Sequence, residues 1–168
     1  MEARSSGARG LANGLHVVAR NAGYTVATYR NVMLLHVDGA IDRDFLRAAL
    51  AGHHEALRFE PTGYGVITLV ESSARIPDAD VRDEASKLRS ETQHMLRAQS
   101  VLIGGAGFFA STMRAVITGI VTLARSRVPL KMVGDTFEAA SFVVEKLGDP
   151  GLRTMDLVPV LDSLRAGR

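Results

Sequence analysis

Gly105-Ala106-Gly107-Phe108-Phe109-Ala110 fits the pattern G-x-G-x-x-[GA]. In that pattern glycine lets the backbone approach a pyrophosphate that sits on a helix N-terminus. The segment follows the apolar run Ser100 to Ile103 and opens a helix-like stretch, and Asp135 ends the next apolar run. Gly104, Gly105 and Gly107 are therefore candidates for holding an anion or a nucleotide. The same residues also read as a tight strand-to-helix turn that needs positive φ and close helix–sheet packing. Against a dinucleotide site stand the motif's place in the third helix–strand unit, the short chain that follows, and two phenylalanines at the helix start.

Other chemistry-bearing residues are sparse. His53, His54 and Glu55 are consecutive. Neighbours on a helix point about 100° apart, so they cannot share an ion without a third element; solvated helix residues are expected. His36 lies in a strand and reads as a packed or edge histidine. No serine sits in a nucleophile-elbow context, and no acid pair stands at catalytic spacing. The reading is non-catalytic and assigns no catalytic residue, metal ligand or cofactor.

The bulk composition narrows the class. The chain has 168 residues, 46% apolar and 23% charged, with no cysteine. That is enough for one cored domain. It excludes disulfide scaffolds, thiol catalysis and thiolate metal sites and fits a reducing cytoplasm, the expected location. The net charge is +2 with acids and bases interspersed, so no nucleic-acid stripe is read. Arg4, Arg9, Arg20 and Arg30 face only Glu2 in the first thirty residues, marking a basic tail or an anchor to an anionic partner. No secretory core region and no run of roughly 18 uncharged apolar residues occur.

The elements that must position these residues follow from periodicity. Tyr24–Arg30 and Val32–Gly39 read as a strand pair turning at Asn31. Asp42 caps a helix over Arg43–Leu57, and Tyr64–Glu71 is a strand buried on both faces. Asp78 or Asp80 caps a helix over Val81–Arg97. The strand at Gln99–Ile103 and a helix over Phe108–Arg125 follow. Pro129–Gly134 is a short strand, and Asp135 with Glu138 opens the helix Thr136–Leu147 as a capping box. A last amphipathic segment has Asp156 as cap and Pro159 in its first turn. The expected division is a tail over 1–22, an α/β domain over 23–148, and a linker with a short amphipathic segment over 149–168. Strands alternating with helices imply a mostly parallel sheet of about five strands with a hairpin start and about four helices.

This order resembles the STAS domain, named for sulfate transporters and anti-sigma-factor antagonists, in its SpoIIAA-like branch. The resemblance is carried by Val32–Asp42, Tyr64–Glu71 and Val128–Leu147, and it spans Gly23 to Leu147. It implies a regulatory module that binds a protein partner through the loop after the central strand and the adjoining helix. Signalling members carry a phosphorylatable serine there, in a pattern of D-x-S followed by D-S-[ST]-G. Here Glu71 and Ser73 stand at the first acid and serine, after Ser72, and the second element is absent. Asp78 and Asp80 occupy its place, as helix caps or as mimics of a phosphate.

From Ala98 to Ala124 the only charge is Arg114, and Ser111, Ala115 and Gly119 form a small-residue stripe on the helix there. Small residues allow close approach. A neighbouring helix, the segment Leu157–Leu164, a second copy, a partner or a lipid surface would each cover it. Partner contact or self-association is expected. The competing reading is a small-ligand protein that binds a nucleotide, an anion or a lipid through the glycine turn and the following helix.

Overall fold

The computed structural model describes residues 14–167. Six strands form one sheet in sequential order: β1 (Leu15–Arg20), β2 (Tyr24–Tyr29), β3 (Val32–Val37), β4 (Tyr64–Val70), β5 (Leu96–Ile103) and β6 (Leu130–Val133). β1, β2 and β3 pair antiparallel, and β3 to β6 pair parallel. Five helices accompany them: α1 (Arg43–Phe59), α2 (Ala79–Thr92), α3 (Phe108–Leu123), α4 (Thr136–Leu147) and α5 (Thr154–Arg165). The α/β class and the mixed sheet are as expected.

Period-two alternation sorts the strands onto two cores. On one face Val26, Met33, Leu35, Val66, Val101 and Ile103 pack with α1 and α3. On the other, Ala27, Leu34, Ile67, Leu69 and Leu102 pack with α4 and α5. α1, α2 and α3 are the crossovers between consecutive parallel strands. Crossovers of one hand, advancing in one direction, must lie on one face. α4 and α5 follow the last strand and are free to close the other face.

The three crossover helices do not sit alike. α1 spreads over β1, β2 and β3. At Gly52 a Cβ would stand 2.7 Å from the side chains of Met33 and Val26, so that helix lies tight on the sheet. α2 rests chiefly on α1 and α3 rather than on the strands.

Several boundaries differ from those expected. β1 lies within the stretch read as a tail; it pairs with β2 along its length, with a bulge between Val17 and Ala19. Its half-buried, short apolar pattern is what an edge strand shows, and it is easily taken for a tail. Arg4 and Arg9 lie outside the described residues. The C-terminal segment is a full helix whose Leu157, Val160, Leu161 and Leu164 are buried against α4 and the sheet. It therefore belongs to the core rather than to a linker, and it covers the face opposite α3. It begins a turn early: Asp156 is its third residue and accepts from the Arg153 N–H at 3.3 Å. α2 ends at Thr92, and β5 starts at Leu96, inside the helix expected to run to Arg97. Asp42 and Asp135 cap as expected, accepting from Phe45 N–H at 3.0 Å and Glu138 N–H at 2.7 Å. Glu138 reaches the Gly134 N–H at 3.0 Å rather than the cap amide.

Leu69 is 0% exposed in the central parallel strand. Leu69→Ala should lower the unfolding free energy by about 2–5 kcal/mol in urea titration; a loss under about 1 kcal/mol would contradict its place in the core.

Candidate functional site

The glycine turn is built as a turn. Gly105 and Gly107 have φ of 77° and 73°, values that favour glycine, and Gly107 is the residue preceding α3. Gly104 N–H donates to Val70 O at 2.6 Å, and a Cβ on Gly105 would stand 3.0 Å from Ser72 Cβ. The turn and the loop after β4 thus meet at the C-terminal ends of β4 and β5, with Ser72 and Ser73 exposed beside them. Phe108, at the helix start, is 88% exposed.

Glu71 is engaged. Arg165 of α5 donates to its two carboxylate oxygens at 2.8 and 3.2 Å, and His36 Nε2 stands 3.3 Å away. The Arg165 hydrogen bonds hold the Glu71 carboxyl below the usual carboxylate range, against the upward pull of burial. This acid clasps α5 to the sheet. His36 is buried, as expected of a packed histidine.

Asp78 precedes α2 but its side chain makes no cap hydrogen bond; Asp80, in the first turn, pairs with Arg43 at 2.8 Å, as Glu84 does at 2.7 Å. Arg43, Asp78 and Asp80 are exposed and Glu84 is half-buried, so the cluster is worth little to stability. Ser111, Ala115 and Gly119 all lie on the exposed face of α3. Ala115 and Gly119 border an open groove against Ala79, Arg82 and Asp83 of α2.

The feature that brings unusual groups together lies elsewhere. Between the sheet and α1–α3 is a cavity of about 160 Å³. Its floor is Met33, Leu35, Val66, Val70 and Val101; Phe45, Ala49 and His53 of α1 form one wall. Ala85, Leu88 and Arg89 of α2 and Met113, Ile117 and Ile120 of α3 enclose the rest. None of the three glycines lines it.

One hydrogen-bonded series crosses this apolar space. Gln99 Nε2 donates to Thr68 Oγ1 at 3.3 Å, and the Gln99 carbonyl accepts from a terminal nitrogen of Arg89. Arg89 Nε donates to Ser126 Oγ, beyond α3, at 3.1 Å. Arg89 is 9% exposed, and its second terminal nitrogen, Nη2, is buried with no hydrogen-bond partner among the described residues. Desolvation lowers its pKa from the usual guanidinium value. Beside it His53 Nδ1 shares a hydrogen bond with the Tyr64 hydroxyl. Burial first, then Arg89 and His54, lowers the His53 pKa to about 4, while burial raises that of Tyr64. His53 is thus a neutral interior residue and not the solvated one expected; its neighbours His54 and Glu55 are exposed and half-buried. The inward direction at 53 follows from Ala49 and Ala56, one turn to either side, both buried.

Sequence reasoning missed Arg89. The signal was present: Val81, Ala85 and Leu88 mark the inward side of α2, and position 89 lies four residues after Ala85. Arginine is seldom buried without a paired acid, so the spacing alone does not mark it as interior.

No protein-family model matches the chain, and no curated protein matches it either. No helix among the described residues is long and apolar enough to cross a membrane, and no group of three or more metal-ligating side chains occurs among them.

His53 makes a pH prediction. Between pH about 6.5 and about 4 the unfolded chain's imidazole takes up a proton that the folded protein refuses. Its contribution is therefore complete above that window and is lost as pH falls through it, about 3 kcal/mol in all. Denaturant titrations of wild type and His53→Gln across this range should diverge, with the flatter profile in the variant; parallel profiles would contradict a neutral buried imidazole.

Proposed function

We propose that this protein is a non-catalytic small-molecule-binding module whose ligand occupies the cavity between the sheet and α1–α3. The observation that supports this is the cavity's composition: aliphatic and aromatic walls with a few polar groups grouped on α1, α2, β4 and β5. Small-molecule sites have this character. A cavity near 150 Å³ accommodates a benzene-sized molecule, so the ligand's buried part is of about that size. The binding site on this reading is displaced from the glycine turn to the space beneath α2.

Benzene is the direct probe. A ligand at a hundred times its Kd adds about 2.7 kcal/mol, roughly 5–10 °C in Tm for a chain of this length. Ala85→Leu adds bulk from the roof and should melt at or above the wild-type temperature while losing the response to benzene. An equal response in the variant would place the ligand elsewhere.

A second reading is favoured by the succession of elements from β2 to α4, which is the order on which the resemblance to STAS domains rests. On it, Ser72, Ser73, Asp78 and Asp80 with the α3 stripe form a partner-facing surface, and the stripe's partner is a second copy of the chain. A Cβ at Gly119 would meet nothing within 4 Å, so Gly119→Arg keeps the fold. Sedimentation should then show the assembly falling to monomer with the fold retained; a mass equal to that of wild type would end the self-association reading.

A further inference from the structure

Among the described residues, Arg89 is the only formally charged side chain that lines the cavity; the one titratable neighbour there, His53, has a pKa of about 4 and is neutral at pH 7. The groups that Arg89 does meet, Gln99 and Ser126, are both uncharged. A buried guanidinium is ordinarily balanced by a carboxylate with matched geometry. Here the described residues supply none, and Nη2 retains its donors. The neutral partners fix the guanidinium in place, since Nε and the other terminal nitrogen are held from the α3–β6 connection and from β5. Tethering of that kind orients a charge without cancelling it.

We infer that the cavity's ligand is a small apolar carboxylate, its hydrocarbon part among Met33, Val66, Val101 and Met113 and its carboxylate on Arg89 Nη2. This rests on the cavity reading above and names the class of ligand within it. The size of the space and the single free nitrogen suit one compact carboxylate; a phosphate, with more charge and more acceptors, would need further donors than Nη2 offers. Thr68 and Gln99, joined by a hydrogen bond of 3.3 Å, line the same cavity and add polar groups to it. The charge also selects: an amine of the same shape would place two cations together in a low-dielectric space.

The test compares hexanoate, hexanamide and hexylamine, equal in chain length, by calorimetric titration of the full chain at pH 7. Hexanoate should bind at least tenfold tighter than hexanamide, and hexylamine should show no binding. Arg89→Met keeps length and apolar bulk; it should reduce hexanoate to the level of hexanamide or below while hexanamide binding persists. If hexanoate and hexanamide bind wild type equally, the carboxylate assignment is overturned and the cavity reading stands. If none of the three binds at millimolar concentration and benzene also fails to raise Tm, the cavity reading itself fails. Should the methionine variant not fold, the wild-type ratio alone decides, and its loss in high salt must not exceed the modest screening of a buried pair.

Discussion

A strand occupies about 4.8 Å of sheet width, and a helix with its side chains about 10 Å. Three crossovers of one hand that advance one strand at a time therefore place three helices on a face whose strands cannot accommodate them side by side. The arrangement of this face follows from that mismatch. α1 is displaced outward over the antiparallel strands, where β1 and β2 extend the floor, and α3 takes the side of β5. α2, between them, leans on its two neighbours and stands off from the strands. The cavity is the space that remains beneath it. The opposite face carries α4 and α5, which are not crossovers, and there the packing is direct: Ala139, Ala140 and Val143 are fully buried, and the Ser100 hydroxyl donates to Ala139 O at 3.0 Å.

Arg89 gains its meaning from this geometry. A long side chain on the raised helix spans the gap to β5 and to the loop beyond α3, where an aliphatic one would have ended in the cavity. Its stem adds to the apolar wall and its head ties three elements together. Desolvation of the charge is opposed by two neutral hydrogen bonds, which offset only part of it. The local stability that a carboxylate would ordinarily provide is thus left to a molecule from outside, and binding is favoured to that extent.

The succession of elements from β2 to α4 was legible because each has a periodic apolar pattern and a turn or cap residue at its boundary: Asn31, Asp42, the glycines at 105 and 107, and Asp135. Of the two end elements, β1 was not legible, and α5 was legible as an amphipathic segment but not as part of the core. β1 is a half-buried edge strand among basic residues, and α5 is held by a tertiary clasp, Arg165 on Glu71, that spans most of the chain. The cavity was illegible for a different reason. It arises from how helices share the width of a sheet, and no local pattern encodes that. Gln99, Thr68 and His53 look like ordinary strand and helix residues until the sheet places them under Arg89. The glycine turn drew attention by its motif, yet its two positive φ values belong to the packing of α3 and the loop after β4.

The central claim is that one buried guanidinium receives a carboxylate within an apolar cavity. It is tested most directly by nuclear magnetic resonance of the full chain titrated with hexanoate, following the Arg89 side-chain nitrogens together with the Met33 and Met113 methyl groups. The account predicts that the nitrogens and both methyls shift in one saturable transition with a common midpoint. Methyl shifts with unmoved Arg89 nitrogens, or nitrogen shifts with unmoved methyls, would contradict it.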